Sequence, residues 1–335
     1  MSTEHLLRVE QLQVDYPAPR RRTFRAVDAV DLAVRPGETL GLVGESGSGK
    51  STIAKAILGI APVSAGTISF DGVALDPERV RRRKPVTDIQ AVFQDPTSSL
   101  DPSKTVGYTV AEPLLAQLDR ERRKAGPGEV RDRVAAMLER VGLGGTAAAR
   151  YPAQFSGGQR QRIAIARALI VDPRLVVCDE AVSALDLSIQ AQVLNLLGDI
   201  RAERGISYLF ISHDLQVVEH LADTVVVLYR GRVMESGPAA AIHRSPEHPY
   251  TRALLAASPV PDPVLQRERR AAREAYRGTP ARADALGESC AFRHRCPFAV
   301  ERCAQERPAL RATAGGSVAA CHRIGELPDL RPVVA

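Results

Sequence analysis

The chain has 335 residues, 44% hydrophobic and 25% charged, enough for one large packed domain with an appendage. Aromatic residues make up only 4%, with no Trp, which argues against a base-stacking nucleic-acid surface. The net charge of +6 is local: Arg20-Arg21-Arg22, Arg81-Arg82-Arg83-Lys84 and the Arg-rich stretch 267–277 supply much of it, either as solvated surface or as contacts for anionic lipid headgroups.

Residues 6–16 alternate in part and predict a strand, followed by a Pro/Arg loop at 17–25 and a second strand over 26–34. Arg35-Pro36-Gly37-Glu38 is a turn. Residues 39–43 form a short apolar strand that runs into a glycine loop, and 51–59 have helix-forming composition ending at Gly59. Residues 89–93 predict another buried strand. From about 105 to 150 two charged helical segments, 106–124 and 129–142, are divided by Gly126-Pro127-Gly128 and read as a helical insert. Strand patterns return at 175–178, 207–211 and 224–229, with helices at 157–171, 188–204 and 214–221. Strands alternating with helices predict an α/β fold with a mostly parallel sheet. Beyond about 240 the composition shifts to a proline-rich segment at 259–263, a basic helix-like stretch and a cysteine-bearing tail. No run of about 18 apolar residues exists, so no membrane-spanning segment is expected. The first residues lack the layout of a signal peptide, so a cytoplasmic location is expected.

Three motifs carry chemistry. Gly44-x4-Gly49-Lys50-Ser51, lying between a strand and a helix, matches a phosphate-binding loop spanning Gly44, Glu45, Ser46, Gly47, Ser48, Gly49, Lys50, Ser51 and Thr52. Its glycines let backbone N–H groups turn toward anionic oxygens, Lys50 reaches the β and γ phosphates, and the Ser51 hydroxyl ligates Mg²⁺. In Leu175-Val176-Val177-Cys178-Asp179-Glu180 an apolar strand delivers two carboxylates: Asp179 to hold hydrated Mg²⁺ from its second shell, Glu180 to polarise the attacking water. Ser156-Gly157-Gly158-Gln159 opens a helix, and reads as a second anion-binding end or as an ordinary N-cap on Ser156.

With these three in this order, the chain resembles ATP-binding cassette (ABC) proteins over residues 6 to about 240. That resemblance implies further roles. Gln94 matches the glutamine that senses Mg²⁺ and the γ-phosphate and links to the helical insert. Asp186 matches the aspartate that communicates across a dimer, and His213 the histidine that contacts the γ-phosphate. Tyr16 is the candidate for the ring that stacks on adenine, with Phe24 as its competitor. Position 181 is Ala where the family usually has Pro; both carboxylates remain, so hydrolysis is expected. In this family two ATPase domains lie head to tail, the phosphate loop of one facing Ser156–Gln159 of the other, so a second ATPase chain is implied.

Residues 245–263, with Ser245-Pro246-Glu247-His248-Pro249-Tyr250 and a Pro-rich end, resemble the extension of oligopeptide and dipeptide importers. Residues 179–192 are similar to the second ATPase subunit of those importers. The resemblance divides the chain into an ATPase domain at 1–240, with a helical subdomain at about 95–160, and an extension at 241–335. It implies ATP and Mg²⁺ as cofactors, a heterodimeric ATPase partner, two membrane-spanning permease subunits and an extracytoplasmic peptide-binding protein, with no nucleic-acid partner. The location implied is the cytoplasmic face of the membrane. Importers of nickel or other small solutes share the extension. Soluble cassette ATPases of ribosomes or DNA join two cassettes or insert a long coiled coil, and this chain does neither.

Four cysteines, Cys290-x5-Cys296-x6-Cys303-x17-Cys321, form a set whose spacing alone indicates only a metal or cluster site. The resemblance implies a [4Fe–4S] cluster, as some peptide-importer ATPases carry there, with His294 and His322 as substitute ligands. Cys178 reads as a small buried residue of the core strand.

Overall fold

The computed structural model describes residues 4–18, 22–75, 88–95, 99–258 and 287–327, with isolated positions between 262 and 276. Arg20, Arg21, the run at 81–84, and most of 259–263 and 267–277 lie outside the described residues.

In chain order the strands are β1 (Leu7–Ala18), β2 (Arg22–Val34), β3 (Thr39–Val43), β4 (Ala65–Phe70), β5 (Val73–Ala74), β6 (Ile89–Phe93), β7 (Leu175–Asp179), β8 (Ser207–Ser212), β9 (Thr224–Tyr229), β10 (Arg232–Pro238), β11 (Arg311–Ala312) and β12 (Val318–Ala319). The helices are α1 (Lys50–Ile57), α2 (Val106–Arg120), α3 (Pro127–Arg140), α4 (Gly157–Leu169), α5 (Leu187–Arg204), α6 (Leu215–Glu219), α7 (Ala239–Arg244), α8 (Pro249–Ala257) and α9 (Glu301–Gln305). The chain divides into two compact units: Leu7–Ala33, Thr39–Ser69 and Ser212–Ala335 form one, and Met1–Leu6, Val34–Glu38 and Phe70–Ile211 the other.

In the first of these, β3 pairs parallel with β9, and β10 runs antiparallel to both β9 and β12. All five residues of β3 are buried, the near-continuous apolar run of a strand covered on both faces. A smaller sheet places β1 between β2 and β4. The alternation of β1 was only partial for a physical reason. Leu7 and Val9 are buried, then Leu12 and Val14, and the change of phase falls at Gln11, whose φ is 49°. The Gln11 N–H and side-chain amide both donate to the Asp31 carboxylate at 2.7 and 2.6 Å, holding that irregular step. The loop expected at 17–25 is shorter than the sequence suggested, because Arg22–Arg25 already belong to β2; Arg25 turns outward to pair with Asp15.

In the other unit, β6, β7 and β8 are parallel neighbours, with Phe93 opposite Asp179 and Asp179 opposite Ile211. The two segments of the expected helical insert are α2 and α3. Thr105 caps α2, and its Val106, Val110, Leu114 and Leu118, spaced four apart, are buried. Gly126 and Pro127 start α3 rather than separating two helices at a distance, as Pro suits the first helical turn.

The tail is fastened to β2 by a charge network centred on the buried Arg232 and the partly buried Asp28. Asp28 accepts from Arg232 Nε at 2.8 Å, from Arg307 Nη1 at 3.2 Å and from Arg25 Nη1 at 3.3 Å. Arg232 also donates to the carbonyls of Ser289 and Gly287. Burial pushes the Asp28 carboxyl up, but the Arg232 hydrogen bond and the charges of Arg232 and Arg307 outweigh it, so its pKa lies below the ordinary value. A carboxyl lowered on folding contributes stability above its unfolded pKa of 3.8, and loses it as pH falls through the lower folded value. Asp28→Asn is expected to cost about 3 kcal/mol at neutral pH by leaving Arg232 buried and unpaired, and to flatten the acid-side loss. Urea unfolding across pH 3–7 measures both effects.

Candidate functional site

The phosphate loop is shaped by close backbone approach. A Cβ on Gly44 would lie 2.1 Å from the Leu228 carbonyl oxygen, and one on Gly49 2.6 Å from the Ala26 carbonyl oxygen. Gly47 and Gly49 have φ of 77° and 106°, a region costly for other residues. Gly49 stands at the N-cap of α1 with no side-chain cap, so the first N–H groups of that helix face the loop rather than a capping side chain. Lys50 is buried, its Nζ donating to the carbonyls of Gly44 at 2.7 Å and Glu45 at 3.0 Å. Ser48 Oγ is buried without a hydrogen-bond partner in the described structure, a donor suited to an anionic oxygen. Ser51 and Thr52 follow on the first turn of α1, half-buried, while Ser46 and Gly47 are exposed at the loop's crest. Tyr16 is half-buried on β1, and Phe24 on β2 is 48% exposed. His213 is exposed just after β8, and the adjoining Asp214 caps α6 by accepting from Gln216 N–H.

The remaining predicted residues lie in the other unit. Register places Gln94, which follows Phe93, and Glu180, which follows Asp179, at the same carboxyl edge of the parallel strands, the edge where open α/β sheets bind ligands. Asp179 is buried. Glu180 holds φ 50°, an uncommon conformation for a residue with a side chain. Its N–H donates to the Ile211 carbonyl, and its own carbonyl accepts from the N–H and hydroxyl of Ser183. These bonds fix the turn that leads into the buried Ala181.

Ser156 caps α4 in a reciprocal capping box: its Oγ accepts from Gln159 N–H, and Gln159 Oε1 accepts from Ser156 N–H at 3.0 Å. The box leaves the N–H groups of Gly157 and Gly158 outside it. A Cβ on Gly158 would meet Ile189 of α5 at 2.5 Å, and Asp186 caps α5 through Ile189 N–H. Gly158 and Asp186 thus meet at one residue, Ile189, the first at its side chain and the second at its backbone N–H, while Ser156, Gly157, Gln159 and Asp186 face solvent.

Residues 27–183 match the ABC transporter family, and residues 234–303 match the oligopeptide/dipeptide transporter, C-terminal region. The oligopeptide transport ATP-binding protein OppF of Salmonella typhimurium is 47% identical over 293 residues, covering 87% of this chain and 86% of that protein. OppF of Escherichia coli is 46% identical over 309 residues, covering 91% and 90%. The chain belongs to the ABC transporter ATPases of the oligopeptide/dipeptide transporter family. Its fold also matches the dimeric, post-hydrolysis structure of the ATP-binding cassette MJ0796 bound to ADP and Pi, with a TM-score of 0.61, 28% identity, and coverage of 70% of this chain and 98% of that one. No helix among the described residues of this ABC ATPase is long and apolar enough to cross a membrane.

The four tail cysteines of the ABC ATPase line one pocket together with His248, Phe292 and His322. His294, the other substitute ligand considered, is exposed and lies outside that lining. Burial pushes the thiols of Cys290 and Cys296 up, to about 11 and about 12, so both are protonated at neutral pH. Among the described residues no group of three or more His, Cys, Asp or Glu is arranged to hold a metal ion. The donor chemistry suits a thiophilic centre; the side-chain arrangement does not yet form one. Cys178 is fully buried in β7, with its thiol pushed up by burial to about 12, as a core residue should be.

Sequence reasoning missed two residues at the loop. Tyr250 Oη accepts the Glu45 N–H, and Arg295 makes a bidentate pair with the Glu45 carboxylate. They stand 205 and 250 positions away along the chain, and the motif that holds Tyr250 carries no sign of a contact with the loop.

Gly44→Ala is expected to displace the loop at a cost of about 1–3 kcal/mol and to abolish ATP binding while helical content is retained. A fluorescent ATP analogue and circular dichroism measure the two halves of that outcome.

Proposed function

We propose that this ATPase energises the import of oligopeptides or dipeptides through a membrane transporter. What carries the reading is the joining, in one chain, of an ABC core at 27–183 and an oligopeptide/dipeptide-type region at 234–303. Residues 1–240 are the ATPase domain, with a helical subdomain at about 95–160, and 241–335 the extension.

In this reading the loop 44–52 cradles the triphosphate and Lys50 moves from the loop carbonyls to the β and γ phosphates. Ser51, Gln94 and Asp179 are the residues that would hold Mg²⁺, which would offset the charge of the triphosphate. Glu180 takes the proton of the attacking water, and His213 steadies the γ-phosphate. Tyr16 stacks on adenine. Ser156–Gln159 serves the ATP held by a second ATPase chain, and Asp186 reports across that interface. Closure and reopening of the two ATPase chains drive two permease subunits, which hold this chain at the cytoplasmic face of the membrane and receive peptide from an extracytoplasmic binding protein.

Glu180→Gln is expected to lower turnover about 10²–10⁴-fold and to accumulate an ATP-bound dimer in size-exclusion chromatography. Unchanged turnover would remove Glu180 from the role of base.

The partner ATPase is a different chain, and the four-thiol pocket takes a [4Fe–4S] cluster held by Cys290, Cys296, Cys303 and Cys321. That all four cysteines line one pocket supports this. The four cysteines would supply the thiolate ligands and the cluster a redox-active iron–sulfur centre, and its uptake would release the thiol protons. Oxygen-free co-purification from membranes is expected to yield two permeases, a second distinct ATPase and a brown preparation containing iron and acid-labile sulfide. A homodimer overturns the first assignment, and an iron-free, colourless preparation overturns the second.

A further inference from the structure

The phosphate loop is gripped from outside, and Glu45 is where the grip closes. Every polar group of Glu45 is engaged. Its N–H donates to Tyr250 Oη at 2.8 Å. Its carboxylate accepts from Arg295 Nη1 and Nη2 at 2.7 and 2.8 Å. Its carbonyl accepts from Lys50 Nζ at 3.0 Å and from Ser48 N–H at 3.1 Å. Glu45 thus joins the catalytic-loop lysine directly to the C-terminal extension.

The grip is rigid on the extension's side. Tyr250 is fully buried, and its ring lies 4.5 Å from that of Tyr229 and 5.3 Å from that of Phe292, centroid to centroid. Its N–H donates to His248 Nδ1, the cap of α8; the buried Glu235 accepts in turn from the N–H groups of Glu247 and His248. Arg295 lies 5.5 Å from the Phe292 ring centroid and 5.9 Å from that of Tyr229, so aromatic faces fix its plane. At the other end of α8, Ser258 Oγ donates to Asp214 Oδ1 at 3.1 Å, beside His213. One helix of the extension therefore reaches both segments assigned to the phosphates.

The charge balance gives this a function. A carboxylate one residue into an anion-binding loop opposes the triphosphate that the loop must accept. Arg295 neutralises it with a planar two-bond pair that a lysine cannot reproduce. Tyr250 occupies the Glu45 N–H, so this peptide keeps one orientation at the start of the loop.

We propose that Arg295 and Tyr250 are positioning residues for nucleotide: through Glu45 they neutralise and orient the phosphate loop, which makes the C-terminal extension a working part of the ATP site. The proposal rests on the loop 44–52 binding ATP.

The test is equilibrium binding of MgATP to the full-length chain, with steady-state turnover alongside. Arg295→Met is expected to weaken MgATP binding about tenfold and to raise KM in step, while kcat at saturating ATP changes by less than about twofold. Tyr250→Phe, which keeps the ring packing, weakens binding about threefold. Arg295→Lys falls between wild type and Arg295→Met. The decisive arm is Glu45→Gln added to Arg295→Met: removing the carboxylate left unpaired restores affinity, which loss of packing alone would not allow. Arg302→Met, which breaks an exposed pair with Glu306 in the same lobe, leaves affinity unchanged. If Arg295→Met does not fold, Arg295→Lys and Tyr250→Phe carry the test. Wild-type affinity in those variants, or no restoration by Glu45→Gln, overturns the proposal. A wild-type chain that binds no MgATP overturns the ATP reading beneath it.

Discussion

The placement of the phosphate loop depends on backbone packed against backbone. Gly44 lies under the Leu228 carbonyl, and Gly49 lies against the Ala26 carbonyl, with no room for a Cβ at either point. Gly231 completes the wedge: its N–H donates to the Ser48 carbonyl at 2.7 Å, its carbonyl accepts from Asp28 N–H at 2.8 Å, and a Cβ there would also meet Ala26. The turn that allows this contact passes through Arg230 and Gly231, both at positive φ. The β9–β10 turn and the start of β2 are therefore the walls of the site, although neither carries a recognisable nucleotide motif. Each contact is a peptide group whose polar atoms must be satisfied, so the loop has few alternative conformations at low cost.

The same walls lead into the C-terminal extension. Asp28 donates its N–H to Gly231 and offers its carboxylate to Arg232 and Arg307. A charge network buried to this degree is a poor source of net stability, since desolvation cancels much of the attraction. It is a good source of position, because a guanidinium with buried partners tolerates few geometries. The extension's second attachment, through Glu235, follows the same logic: a fully buried carboxylate on β10 accepts from two backbone N–H groups at the start of α8 and from Ser317. Both networks place α8 and the residues around Phe292 at fixed positions relative to the loop.

How much of this was legible in the sequence depended on the range of the interaction. The phosphate loop, the acidic end of β7 and the cap at Ser156 were legible because their chemistry is local: glycine spacing, an apolar run ending in carboxylates, a cap three residues before its partner. Strands β6 and β9 matched their predicted bounds because both are short apolar runs. β10 was not legible. Arg232, Glu235, Ser236, Gly237 and Pro238 carry no strand pattern, and only long-range partners make a buried Arg and a buried Glu tolerable in a strand. β4 was missed because Ala65-Gly66-Thr67 has loop composition; Gly66 is there so that the chain can pass against the Gln11 carbonyl. The Glu45 contacts were invisible for the same reason as β10: a carboxylate after a glycine signals nothing about an arginine 250 residues later.

The cap at Ser156 shows how one local motif serves two purposes. Sequence left open whether it was an ordinary N-cap or an anion-binding end, and the geometry makes these compatible. Ser156 and Gln159 satisfy each other, so the helix start is stable without a ligand. The N–H groups of Gly157 and Gly158 take no part in that exchange and carry the positive end of the helix dipole to an exposed face. Ile189 fills the space beside Gly158, which excludes a side chain there and ties the cap to α5, where Asp186 is the N-cap. Next to Asp186, Leu187 is 85% exposed. A large apolar side chain beside a self-capped helix start is stable in water but gains by being covered. In the proposed assembly, this is the surface that a second ATPase chain with its own bound triphosphate would cover.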